Sequence, residues 1–199
     1  MQMNSLQDLL VDDLKDLYNA ESQLVKALPK MAKAAQNEQL AETLREHASV
    51  TEGQVTRLEE VFGIVGAPAK GKSCKGMKGL LEEGTEHMQQ EDKGEMRDLA
   101  IIASAQKVEH YEMSAYGTIR TLAEQLDFGD AVELLQQTEE EEKEADSKLT
   151  ECAMAIYESV EEEDGEEEDE EEEDTEQQPA RAATTKSRGS AGGKTRTAR

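Results

Sequence analysis

The sequence contains no tryptophan, and aromatic residues make up only 3% of its 199 positions. A buried core must therefore be built from Leu, Ala, Val, Ile and Met. Side chains of this kind suit packing between helices better than they suit a β-sandwich, whose strands are enriched in aromatic and β-branched residues. The composition thus favours an all-helical fold.

Long apolar runs and cysteine pairs are also missing. No stretch approaches the roughly 18 consecutive apolar residues of a transmembrane helix, and the start, MQMNSLQDLLVDDL, has neither the basic nor the apolar region of a signal peptide. Cys74 and Cys152 are too few for a disulfide framework and lie in no CxxC motif. The sequence therefore predicts a reduced, cytoplasmic protein with no membrane partner.

Negative charge is abundant but unevenly spread, with a formal net charge of −24. Residues 161–176 carry 14 acids and no base, and residues 181–199 carry six bases and no acid, which leaves −16 for residues 1–160. Such an excess repels phosphates and argues against nucleic acid as the partner of residues 1–160. The acidic segment 161–176 and the basic tail 177–199 are predicted to be disordered, since neither can bury apolar surface. Weak DNA contact by the basic tail is a further prediction.

Apolar residues recur in steps of three and four along four long segments, the spacing of amphipathic helices. The predicted long helices span residues 5–36, 38–62, 95–126 and 130–160, and a short helix spans residues 74–90. Ser5 and Asp8 give the first helix an S-x-x-D start, and Pro29 predicts a kink or break within it. The long connection between the second and third long helices predicts a four-helix bundle with a short crossover helix, over residues 1–160.

The third long helix carries two carboxylates in the middle of an apolar stripe. Its stripe consists of Ile102, Ala105, Glu109, Glu112, Tyr116, Ile119 and Ala123. Carboxylates are rarely buried unless they are paired or bound to a metal, because removing a charge from water is costly. Glu109 and Glu112 therefore need a compensating partner.

The other long helices also place metal-ligating side chains on their apolar stripes, near the middle of each helix. Carboxylates and imidazole that converge in a bundle core form di-iron and di-manganese sites, and an oxygen-rich set suits Fe or Mn. The sequence thus predicts a di-metal centre. Its candidate ligands are Glu21, His47, Glu109, Glu112, Glu142 and Asp146.

A second interpretation remains open. A chain with 46 acids places some of them on any stripe by chance, and standard bundle sites carry Glu-x-x-His on two helices. Here the third residue after Glu52 is Val55, and the third after Glu142 is Ala145. The protein would then be a non-catalytic helical stress or interaction protein whose buried acids are protonated or hydrogen-bonded. Their expected partners are Tyr18, Tyr111 and Thr138.

Residues 5–158 resemble the ferritin-like YciE/YciF family. The resemblance rests on the stretches DLYNAESQLVKALPKM, REHASVTEGQVTRLEEVF, KSCKGMKGLLEEG and, above all, AQKVEHYEMSAYGTIRTLAEQL. It implies a ferritin-like bundle related to rubrerythrin, a homodimer, a di-metal centre and a link to bacterial stress responses, but no established reaction. The rubrerythrin-like carboxylate positions correspond to Glu21, Glu109, Glu112 and Glu142, with His47 and Asp146 as substitutes for the missing Glu-x-x-His pairs.

The hypothesis with most support from these features is a di-metal stress protein that acts on peroxide or on Fe(II). A cage-forming storage ferritin is less favoured, because nothing in the sequence indicates such an assembly.

Overall fold

The computed structural model describes residues 4–89 and 94–176, with side chains described as far as Val160. Its helices are α1 (Leu6–Ala34), α2 (Glu38–Ile64), α3 (Lys75–Met88), α4 (Glu95–Gln125) and α5 (Gly129–Glu176). No strand occurs in the described ranges. The all-α prediction is confirmed, with a short α3 between two pairs of long helices.

The first helix begins as predicted but does not break at its proline. The Asp8 backbone N–H donates to Ser5 Oγ at 3.1 Å, which makes Ser5 the N-cap of α1. Pro29 lies inside α1, and the helix continues to Ala34. Pro29 is exposed, so water can satisfy the carbonyl group that loses its helical partner.

Two adjacent side chains at the start of α4 tie it to the junction between α1 and α2. Arg97 Nη2 donates to the Ala34 carbonyl at 2.6 Å, and the Asp98 carboxylate accepts from the backbone N–H groups of Gln36 and Asn37 at 3.0 and 2.6 Å. Since α2 and α4 begin where α1 ends, these two helices run in the same direction, opposite to α1.

The crossover helix returns the chain to that end of the bundle. Helix α3 packs against α1 and α4, and Cys74 caps it, with the Met77 backbone N–H 3.4 Å from Cys74 Sγ. After α4, residues 126–128 lead into α5. Side-chain hydrogen bonds from Arg120 to Glu139 and from Gln106 to Asp146 show that α5 runs antiparallel to α4. The predicted crossover topology is therefore present.

The apolar stripes form the core with a few changes from the predicted faces. All seven stripe residues of α4 are at most 2% exposed. On α1, Leu6 is 51% exposed, while the stripe is buried from Leu10 onward. On α2, Gln54 is buried and Val55 is half-buried, so the buried face there turns by one residue from the predicted one.

The end of α5 differs from the prediction. The helix that was expected to end at Val160 extends to Glu176, and disorder of the acidic segment 161–176 stays a prediction. Glutamate is a good helix former, and a helix that is already nucleated grows at little cost. Residues up to Val160 form one compact unit. The basic tail 177–199 and most of the predicted turn at 92–94 lie outside the described residues.

Both cysteines are buried and free, as expected for a chain with no disulfide framework. None of the helices that the structure describes is long and apolar enough to cross a membrane.

Candidate metal centre

Four buried ligand-type side chains meet in the middle of the bundle. His47 of α2, Glu109 and Glu112 of α4, and Glu142 of α5 each place one ligand atom within 4.8 Å of the others. Glu21 of α1 is fully buried beside them. We call these five residues the acid cluster. Residues on four helices, up to 121 positions apart in the sequence, thus converge, as the stripe analysis predicted.

The imidazole of His47 faces the carboxylates. Its Nε2 atom lies 3.3 Å from Glu109 Oε1 and 3.8 Å from Glu142 Oε2. Nε2 is buried and has no hydrogen-bond partner among the described residues. Burial alone would lower the pKa of His47, but the charges of Glu109 and Glu21 raise it overall. A cation in this position would use the same lone pair that a proton uses.

Tyr116 is the neutral partner of Glu21. Its hydroxyl donates to Glu21 Oε1, and both residues are fully buried. Burial raises the pKa of Glu21 to about 7, although the Tyr116 hydrogen bond and the nearby His47 oppose that shift. Burial, followed by the charge of Glu21, also raises the pKa of Tyr116, so the hydroxyl keeps its proton and can donate.

Ionisation of all the remaining carboxyl groups of the acid cluster at once is energetically unfavourable. Burial raises the pKa of both Glu112 and Glu142 well above the ordinary range, and the charges of neighbouring acids raise it further. Like charges held this close cannot all be ionised without a compensating cation. The acid cluster must therefore hold protons or a metal.

The cluster leaves polar atoms unpaired that a cation could satisfy. Buried polar groups in folded proteins are nearly always bonded, so unpaired atoms need an explanation. Seven side-chain atoms here are buried without a hydrogen-bond partner in the part of the chain that is described. They are Glu21 Oε2, His47 Nε2, Glu109 Oε2, both oxygens of Glu112 and both oxygens of Glu142. Carboxylate oxygens with one imidazole nitrogen are hard-to-borderline donors, which fit Fe, Mn or Zn.

Asp146, the sixth predicted ligand, is not brought into the cluster. Its side chain is 25% exposed, accepts a hydrogen bond from Gln106 Nε2 at 3.1 Å and lies 3.5 Å from His110 Nε2. Ala145 occupies the buried position instead. Asp146 thus faces α4 at the edge of the bundle.

The hydrogen-bond partners suggested for the buried acids lie elsewhere. Tyr18 donates to Glu59 at the surface, and Tyr111 donates to Asp16 at 2.8 Å. Thr138 accepts from Arg57. Tyr116, one turn after Glu112, donates a hydrogen bond to a carboxylate of the acid cluster. Its place on the α4 stripe was recognised, but its bonding role was not, because sequence gives no cross-helix register.

The fold and the acid cluster define a class of protein, an all-α bundle with a buried carboxylate–imidazole cluster at its centre. The family model described as a domain of unknown function (DUF892) matches residues 5–161, and the chain belongs to that family.

Relatives support the same assignment. Protein YciF of Escherichia coli (strain K12) is 44% identical over 155 residues, which span 77% of this chain and 93% of that protein. The crystal structure of the E. coli stress protein YciF matches with a TM-score of 0.76, covering 78% of this chain and 98% of that one. YcfI from Rhodopseudomonas palustris matches at 41% identity and a TM-score of 0.72, covering 75% and 95%. A Xanthomonas campestris protein at 17% identity, with a TM-score of 0.61 and coverage of 81% and 99%, shares the fold. The predicted YciF resemblance is confirmed.

Proposed function

We propose that the acid cluster binds two divalent metal ions, iron or manganese, and that the protein serves a stress response through this centre. The observation that supports the proposal is the set of seven buried, unpaired polar atoms pointing into one layer of the bundle.

Charge balance supports two ions rather than one. With Glu21, Glu109, Glu112 and Glu142 ionised and His47 neutral, the acid cluster carries a charge of −4. Two divalent cations cancel this charge, whereas one leaves two uncompensated buried anions, which are costly. Bundle di-metal sites use four such carboxylates, although most have two histidines rather than one.

The chain's own residues would hold and shape this centre. Glu109, Glu112, Glu142 and His47 would bind the ions, and Tyr116 would orient Glu21 through its hydrogen bond. The surrounding aliphatic core excludes bulk water. A bound pair of iron or manganese ions supplies redox chemistry toward peroxide or Fe(II), which fits the description of the E. coli relative as a stress protein.

The first test is elemental analysis of protein purified without chelator or affinity metal. We expect about two Fe or Mn per chain in the wild type and loss of metal in Glu142→Gln, which replaces a buried ligand by an isosteric amide. Glu140→Gln, an exposed change of the same type on α5, is the matched control and should keep its metal.

Asp146→Asn tests which ligand set is correct, the one from the sequence pattern, which includes Asp146, or the one from the structure, which does not. Because Asp146 lies outside the acid cluster, this variant should also retain full metal content. Loss of metal in Asp146→Asn together with retention in Glu142→Gln would contradict the proposed ligand set.

The alternative is a non-catalytic stress or interaction protein whose acids are neutralised by protons and by hydrogen bonds such as that from Tyr116 to Glu21. Absence of metal from the wild type and both controls would favour it. A homodimer and weak DNA contact by the tail stay predictions.

A further inference from the structure

We propose that the cleft between α2 and α5 is the access path by which metal ions and small neutral molecules reach the acid cluster. The inference rests on the proposed function. The cleft has a volume of about 130 Å³, and His47 is one of its lining residues. His47 therefore belongs to the cleft and to the acid cluster at once.

His47 is also where the cluster meets solvent. Glu21, Glu109, Glu112 and Glu142 are at most 1% exposed, whereas His47 retains 7% exposure. Since Nε2 is buried against the carboxylates, the exposed surface belongs to another part of the residue. The imidazole thus stands between the cleft and the carboxylates.

The size of the cleft limits what can pass. A volume of about 130 Å³ is close to that of a cavity that can hold one small molecule of roughly benzene size. Its apolar walls include Leu44, Val50 and Ala145. A metal ion with part of its water shell, or a molecule the size of peroxide, fits this space.

The charged residues at the opening of the cleft favour ligands of one charge over the other. Glu46 and Glu144 are exposed acids that line the cleft, and Lys148 forms an ion pair with Glu144 at 2.8 Å. A further lining acid, Glu141, is paired with Arg57. The unpaired acidic charge at the rim favours cations and neutral molecules over anions. The cleft therefore suits Fe(II), Mn(II) and peroxide.

Val50 offers a way to close the cleft without disturbing the core. It is 39% exposed and lies outside the buried core, so Val50→Trp adds bulk at the opening. Leu6→Trp, at an exposed position on α1, is the matched control. We would measure the rate and final extent of Mn(II) uptake by metal-free protein. We expect Val50→Trp to load at least tenfold more slowly to the same final content, and Leu6→Trp to load like the wild type. Equal loading rates in Val50→Trp and the wild type would overturn the inference.

A second readout does not depend on metal. Exchange of the imidazole C–H of histidine with deuterium oxide requires only that water reach the ring, and the exposed His110 provides an internal reference in the same sample. We expect slow exchange at His47 in the metal-free wild type and at least tenfold slower exchange in Val50→Trp, as measured by peptide mass spectrometry. The same exchange rate at His47 in both proteins would overturn the access path. Absence of Mn(II) from the wild type at equilibrium would instead refute the metal function, and the labelling result would still decide the role of the cleft.

Discussion

Glu21 illustrates at the residue scale how the acid cluster balances its charge. One carboxylate oxygen accepts from Tyr116, and the other is buried with no partner among the described residues. With a pKa raised to about 7, Glu21 holds a proton in metal-free protein at mildly acid pH and releases it near neutrality. Under the proposed function, proton and metal compete for this group.

We predict that metal-free protein loses stability as the pH rises from 5 to 8. Glu21 has a higher pKa in the folded state than its ordinary value of 4.5, so its stabilising proton is fully present below about 4.5 and lost as the pH passes about 7. The raised pKa values of Glu112, Glu142 and His47 act in the same direction. For Glu21 alone the change is about 3 kcal/mol.

Urea unfolding of metal-free protein at several pH values measures this effect. Glu21→Gln should flatten the dependence, because glutamine does not titrate. A free energy of unfolding that increases from pH 5 to pH 8 in the metal-free wild type would contradict the prediction.

The predicted buried face was wrong where successive residues assigned to it were spaced so that they turned away from the core. A step of four residues turns about 40° past a full turn, so two such steps in succession leave the core face. Thr138, Glu142 and Asp146 form such a pair of steps, and the structure buries Ala145 in place of Asp146. Around Glu109 and Glu112 the steps alternate between four and three, and that stripe was predicted correctly.

At the element scale, the start of α4 stabilises two helix ends at once. Arg97 bonds the last carbonyl of α1, and Asp98 bonds backbone N–H groups at the start of α2. A cation at a helix C-terminus and an anion at a helix N-terminus both complement the helix dipole. The sequence showed neither contact, because it gives helix periods but not which helix ends meet.

We predict that Asp98→Ala lowers the free energy of unfolding by about 2 kcal/mol, since it leaves the backbone N–H groups of Gln36 and Asn37 without their buried acceptor. Urea denaturation measures the change at constant pH. Glu133→Ala, an exposed change on α5, should stay within about 0.5 kcal/mol of the wild type. Equal stabilities for the two variants would show that the Asp98 contacts add nothing to the fold.

The whole molecule combines a helical unit with segments of opposite charge. The family match ends at residue 161, close to the end of the compact unit at Val160. The acids of 161–176 and the bases of 181–199 follow it. The bundle topology could be inferred from the lengths of the connections, because a long link between two helices permits them to run parallel. The backbone conformation of the acidic segment could not be inferred from the sequence. Its composition fits both an extended chain and a charged helix.

We predict that any DNA binding resides in the basic tail. Deleting residues 177–199 should abolish a mobility shift, and deleting residues 161–176 should strengthen it, because the acids compete with phosphates for the same bases. The shift should weaken steeply as salt is raised. A shift that survives loss of the tail would place the contact on the helical unit.

Because the residues of the acid cluster are widely spaced in the sequence, the ligand set is complete only when four helices have packed together. Its members come from four helices, with residues 21 and 142 at the extremes, while α3 contributes none of them. A partly folded chain that lacks any one of these four helices presents an incomplete ligand set. By mass action, a bound ion then stabilises the closed bundle as a unit. Under the proposed metal binding, amide hydrogen exchange in the four long helices slows when metal is added. Fraying of α3 leaves the cluster intact and gains no such protection, so exchange in α3 is independent of metal.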